Sequence, residues 1–91
     1  MSTKKITPEM IRDVYELLAS INDPKDIEML FEDLCTNKEI EQMAQRIMAA
    51  KLLIEGNTYS KVIEKTDISS ATLSRVSRCV QYGRGYKKFI K

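Results

Sequence analysis

The segment Asn57 to Gln81, NTYSKVIEKTDISSATLSRVSRCVQ, reads as two short helices around a tight turn, the second of them basic. Tyr59, Val62 and Ile63 supply the apolar face of the first helix, Thr66 and Asp67 interrupt it, and Ile68 suits the corner before the second. From about Ser70 onward, Leu73, Val76 and Val80 recur on one side at helical spacing, while Ala71, Ser74, Arg75 and Arg78 recur on the other. One side packs, and the other presents small polar groups and two guanidinium forks. This is the pattern of a helix-turn-helix whose second helix lies in the major groove of DNA. Close backbone approach needs small residues, and Ser69, Ser70, Ala71 and Thr72 leave that room. Lys61 and Lys65 are the candidate phosphate contacts. Ser69, Ser70, Ala71, Thr72 and Ser74 are candidates to approach base edges, aided by Arg75 and Arg78.

An ordinary amphipathic surface helix with solvated arginines fits the same spacing, so the distribution of charge has to decide. Residues 1–55 carry 7 Lys/Arg against 11 Asp/Glu, whereas residues 56–91 carry 8 Lys/Arg against only Glu64 and Asp67. The net +2 of the chain therefore hides an acidic first part and a basic second part. A basic segment coinciding with the helix-turn-helix pattern is the footprint of a phosphate-binding surface. Double-stranded DNA is the expected partner. An acidic membrane is a weaker alternative, for want of a basic helix with a long apolar face.

At 91 residues the chain is read as one domain: dimerisation helices over 8–56, the helix-turn-helix over 57–81 and a basic tail over 82–91. Thr7-Pro8-Glu9 places a capping hydroxyl before a proline, and Met10, Ile11, Val14, Leu17, Leu18 and Ile21 follow a helical period. Asp23-Pro24 repeats the device, with Ile27, Leu30, Phe31, Leu34 and Cys35 behind it. Thr36-Asn37-Lys38-Glu39 is a capping box opening a third helix of about nineteen residues that Gly56 closes. The later half of this helix is apolar nearly all round, through Met48, Ala49, Leu52, Leu53 and Ile54. So small a chain cannot cover such a helix alone, and a second copy is the expected cover, in an interlocked homodimer. Beyond Gln81, Gly83 and Gly85 suggest a turn or flexible link. Tyr82 and Tyr86 there either anchor the tail or reach phosphates or bases.

Other chemistry is poorly provided for. The chain has no histidine, hence neither the usual neutral-pH base nor the commonest metal ligand, and Cys35 and Cys79 have no metal-binding spacing. Neither a phosphate-binding glycine loop nor a nucleophile elbow is present. No metal, cofactor or catalytic residue is expected. Reduced thiols, a start MSTKKITPEM without a signal-peptide apolar run, and the lack of any stretch of about 20 apolar residues point to a cytoplasmic protein. The competing reading is a small all-helical dimeric enzyme of chorismate-mutase type, with Arg12, Arg46 and Lys51 around a dianion. It leaves the basic helix-turn-helix half unexplained.

The run Leu34 to Val80, with the long helix bearing Arg46, its IEG end at Gly56 and the pentad Ala71-Thr72-Leu73-Ser74-Arg75, resembles the tryptophan repressor family, most nearly its YerC/YecD branch. The resemblance spans roughly residues 8–82. It implies an all-helical, intertwined homodimer whose two reading heads occupy successive major grooves of an operator, and hence a transcriptional regulator that represses by occlusion. It further implies an effector site in which Arg46 and Arg75 hold a co-repressor beside Thr36. Arg46 has an alternative role in a helix-surface pair with its neighbours Glu39, Glu41 or Gln42. Val76 stands where tryptophan-responsive members have glycine and is expected to fill the space an indole needs, so tryptophan is not expected to be the effector. Asp67 stands where many helix-turn-helix proteins place glycine.

Overall fold

The computed structural model describes residues 5–90, which form six α-helices and no strand. The first four residues of the leader reading and Lys91 of the basic tail lie outside the described residues. The chain divides into two compact units, one ending at Thr36 and the other beginning at Asn37.

The first unit holds α1 (Pro8–Ala19) and α2 (Pro24–Leu34). Both begin as the sequence dictates. Thr7 Oγ1 accepts from the Met10 amide at 3.1 Å, and Asp23 Oδ1 accepts from the Lys25 amide at 2.9 Å, each cap followed by proline in the first turn. The proline costs nothing there, because the first amides of a helix have no intrahelical acceptor. α1 stops at Ala19, short of Ile21, where the Ser20 amide and hydroxyl turn back onto the last carbonyls. Neither helix buries a single residue, although both are strongly amphipathic in sequence.

The second unit contains α3 (Asn37–Ile54), α4 (Tyr59–Thr66), α5 (Ser70–Tyr82) and α6 (Gly85–Phe89). α3 runs 18 residues and ends where Gly56, at φ +97, takes a backbone conformation that a side chain resists. Asn57 fixes the exit, its amide and its Nδ2 both donating to the Leu52 carbonyl at 3.0 and 2.9 Å. Ala49, Ala50 and Leu52 of α3 close on Val62 of α4, on Ile68 in the turn, and on Leu73 and Val76 of α5. Two alanines at the contact let the helix axes approach. Each larger apolar side chain so buried stabilises the unit by about 1.5–3 kcal/mol.

The apolar groups distribute as follows. The later half of α3 is buried on one side only, with Ile47, Met48 and Ile54 exposed on the protomer. Tyr59 and Ile63 are largely exposed, leaving Val62 as the sealed anchor of α4. The tail departs from its reading as a turn or flexible link: it forms the one-turn helix α6, and Tyr86 and Ile90 pack against the core. Gly83 is obligatory at that junction, since a Cβ there would sit 2.6 Å from the Cys79 carbonyl oxygen.

Candidate nucleic-acid interface

Two short helices need firm ends, and side chains supply them. Thr58 Oγ1 caps α4 by accepting from the Lys61 amide at 3.2 Å. At the other end the Thr66 hydroxyl donates to the Val62 carbonyl at 2.7 Å and accepts from the Ile68 amide at 3.2 Å. Asp67 follows at φ 60, so the left-handed step that glycine commonly makes in this turn is retained with an aspartate. Ile68 then drops into the core, only 3% exposed. Ser69 caps α5, its Oγ accepting from the Thr72 amide at 3.2 Å and donating to Thr72 Oγ1 at 2.9 Å. From outside the pair, Gln45 of α3 donates through Nε2 to the Thr66 carbonyl at 3.1 Å. The reading head is thereby bonded to the long helix at its turn.

On this scaffold the candidate residues separate by face. Ser70, Ala71, Ser74, Arg75 and Arg78 are exposed along α5, opposite the sealed Leu73 and Val76 and the buried Ser77. Ser69 is exposed but committed to the cap, and Thr72 is half-buried beside it, its hydroxyl already in a hydrogen bond. Lys61 and Lys65 are exposed on α4. Lys61 Nζ lies 3.7 Å from Glu64 Oε1, a solvated pair of the sort worth less than about 1 kcal/mol, which a phosphate can displace. Cations, hydroxyls and a methyl group are thus exposed along the two helices.

Of the implied effector residues, Arg46 borders an open cavity. A cavity of about 650 Å³ lies between α3 and the turn, lined by Arg46 with Lys38, Glu41, Gln42, Gln45, Asp67, Ile68, Ser69 and Thr72. Arg75 is exposed and outside that lining. Arg46 makes no ion pair with Glu41 among the described residues, although both border the cavity. Val76 is 1% exposed and packed in the core. Sequence reasoning missed Gln45, whose bond to Thr66 spans 21 residues and leaves no periodic signal. Among the described residues no group of three potential metal ligands occurs, and no helix is long and apolar enough to cross a membrane.

A helix-turn-helix packed on one side of a long helix, with basic side chains exposed on it, defines an all-helical DNA-binding domain. The family model for the Trp repressor protein matches residues 9–91. The uncharacterized protein YerC of Bacillus subtilis (strain 168) is 40% identical over 83 residues, covering 91% of this chain and 80% of that protein. Two solved structures are also similar. A putative Trp repressor from Staphylococcus aureus superposes with a TM-score of 0.85 at 29% identity, over 97% of this chain and 89% of that one. A TrpR-like protein from Eubacterium eligens ATCC 27750 gives 0.86 at 34% identity, over 96% and 97% respectively. The chain belongs to the Trp repressor family, and its general role is that of a DNA-binding regulator.

Proposed function

We propose that this protein is a homodimeric, sequence-specific transcriptional repressor that binds operator DNA and blocks access to a promoter. The observation that carries the reading is the outward face of α5, where Ser70, Ala71, Ser74, Arg75 and Arg78 are exposed behind a firm cap and opposite a sealed core. The N-terminal residues of α5 read base edges, Lys61 and Lys65 hold phosphates, and the Gln45 bond fixes the angle at which the head meets the groove. The second copy places a second head on the next turn of the duplex. It also covers the apolar side chains that α1, α2 and α3 expose, Met10, Ile11, Val14, Leu17, Met29 and Met48 among them. The protein acts in the cytoplasm, where its DNA is. Tryptophan is not its effector, because Val76 occupies core volume beside Arg75 and the open cavity borders Arg46 alone of the implied trio.

Selection of genomic fragments by the purified protein, followed by anisotropy titration of the enriched duplex, tests this. Lys61→Ala is expected to weaken binding to all sequences alike. Ser74→Ala and Arg78→Ala are expected to change the ranking of sequences, at about 1–3 kcal/mol for each lost base contact. Failure of the intact protein to enrich or bind any genomic duplex at low salt would remove the regulator reading.

A further inference from the structure

After Asp67 the sequence contains no acidic residue, while it carries Arg75, Arg78, Arg84, Lys87, Lys88 and Lys91. Base reading by α5 accounts for the first two only. Along the helix the exposed stripe of Ser74 and Arg78 continues at the same four-residue spacing to Tyr82, which is 81% exposed at the last position of α5. At 1.5 Å per residue, Tyr82 stands about 18 Å beyond Ser70, and the major groove is only about 12 Å wide. A recognition helix that enters with its N-terminal residues therefore brings its other end out over the sugar-phosphate wall. The chain beyond that end is cationic. Arg84 is exposed at the junction, and α6 carries Lys87 and Lys88, both exposed. Lys87 is also held in place, with Nζ donating to the Gln81 carbonyl at 3.0 Å, and the remaining ammonium hydrogens stay available. Lys88 Nζ lies 5.4 Å from the centre of the Phe89 ring, over its face.

We propose that Tyr82, Arg84, Lys87 and Lys88 form a second phosphate-binding surface, which grips the backbone of the same duplex outside the stretch that α5 reads. The inference rests on the DNA-binding reading above and extends the footprint of each head beyond its base contacts. Lys87 and Lys88 act as point charges on phosphate oxygens, Arg84 as a planar fork, and the Tyr82 hydroxyl as a neutral donor. None of them distinguishes sequences. Their contribution is an affinity component that salt erodes and base changes do not.

The test is the salt dependence of binding to a mixed-sequence duplex of about 40 base pairs, measured by anisotropy with the full-length protein. Each lost phosphate contact is expected to make the log–log slope shallower by about 0.9, so the combined Arg84→Ala, Lys87→Ala, Lys88→Ala variant is expected to lose between about two and three units per head. Its preference among enriched sequences is expected to stay unchanged. Lys88→Glu, at an exposed position whose side chain makes no hydrogen bond among the described residues, guards against a folding defect in the triple variant and is expected to weaken duplex binding by itself. An unchanged slope in both, alongside a shallower one for Lys61→Ala, would overturn this surface and leave the reading head intact. Loss of binding to single-stranded oligonucleotide alone, with duplex binding unaffected, would equally overturn it. No duplex binding by the unmodified protein would overturn this inference and the regulator reading together.

Discussion

At φ 60, Asp67 is the non-glycine residue with a left-handed backbone among the described residues, and it sits at the corner of the reading head. For an ordinary L side chain that conformation costs about 1–2 kcal/mol, and aspartate tolerates it better than most because its short carboxylate bonds locally. Asp67→Gly removes the clash but adds freedom to the unfolded chain, so a gain of less than about 1 kcal/mol is expected. Asp67→Val is expected to lose about 1–2 kcal/mol, since branching at Cβ aggravates the contact. Urea midpoints at one protein concentration order the three proteins, and a valine variant as stable as the parent would show that the turn carries no such strain. The residue that breaks the glycine habit was visible in the sequence. That it keeps the left-handed geometry, rather than changing the turn, was not, because only the bonding of Thr66 and Ile68 around it decides between the two.

Elements were legible wherever a cap coincided with a period. Thr7-Pro8, Asp23-Pro24 and Gly56 bound α1, α2 and α3 within a residue or two of where the helices lie. Leu73 and Val76 were legible as the packed side of α5 for the same reason, since a single period determined both faces. α6 was hidden by its length: five residues are too few to show a repeat, and its place is fixed by Tyr86 and Ile90 packing on a core assembled from distant sequence. The implied effector site was matched residue by residue, and sequence alone does not show which faces of α3 and α5 border the cavity. Val76 is sealed in the core and lies outside that cavity's lining. Calorimetry with free tryptophan is accordingly expected to show no binding at micromolar concentrations, and tryptophan should not alter DNA affinity. Val76→Gly opens core volume at a cost of about 2–4 kcal/mol, with about 1 kcal/mol more for glycine inside a helix. If the variant remains helical by circular dichroism, it is the form expected to gain tryptophan affinity. Micromolar binding by the parent would mean that the valine does not close the slot.

Charge divides between the two units of the molecule, and apolar surface is exposed on both. The unit ending at Thr36 has 4 Lys/Arg and 8 Asp/Glu and exposes Met10, Ile11, Val14 and Leu17 at 47–48% each, whereas the unit beginning at Asn37 has 11 against 5 and exposes Ile47 and Met48. Exposed apolar rows of that length are uncommon on stable monomers, and opposite net charge favours pairing the first unit of one copy with the second unit of another. In such a dimer folding and association are one process, so stability must rise with protein concentration. A tenfold dilution is expected to lower the urea midpoint measurably, and Val14→Asp, which puts a charge into the apolar row of α1, is expected to abolish the dimer and the folded state together. Sedimentation of the parent at micromolar concentration should give twice the chain mass. A compact folded monomer there would refute the shared core, and would require Met10, Val14, Ile47 and Met48 to be stable in water without cover.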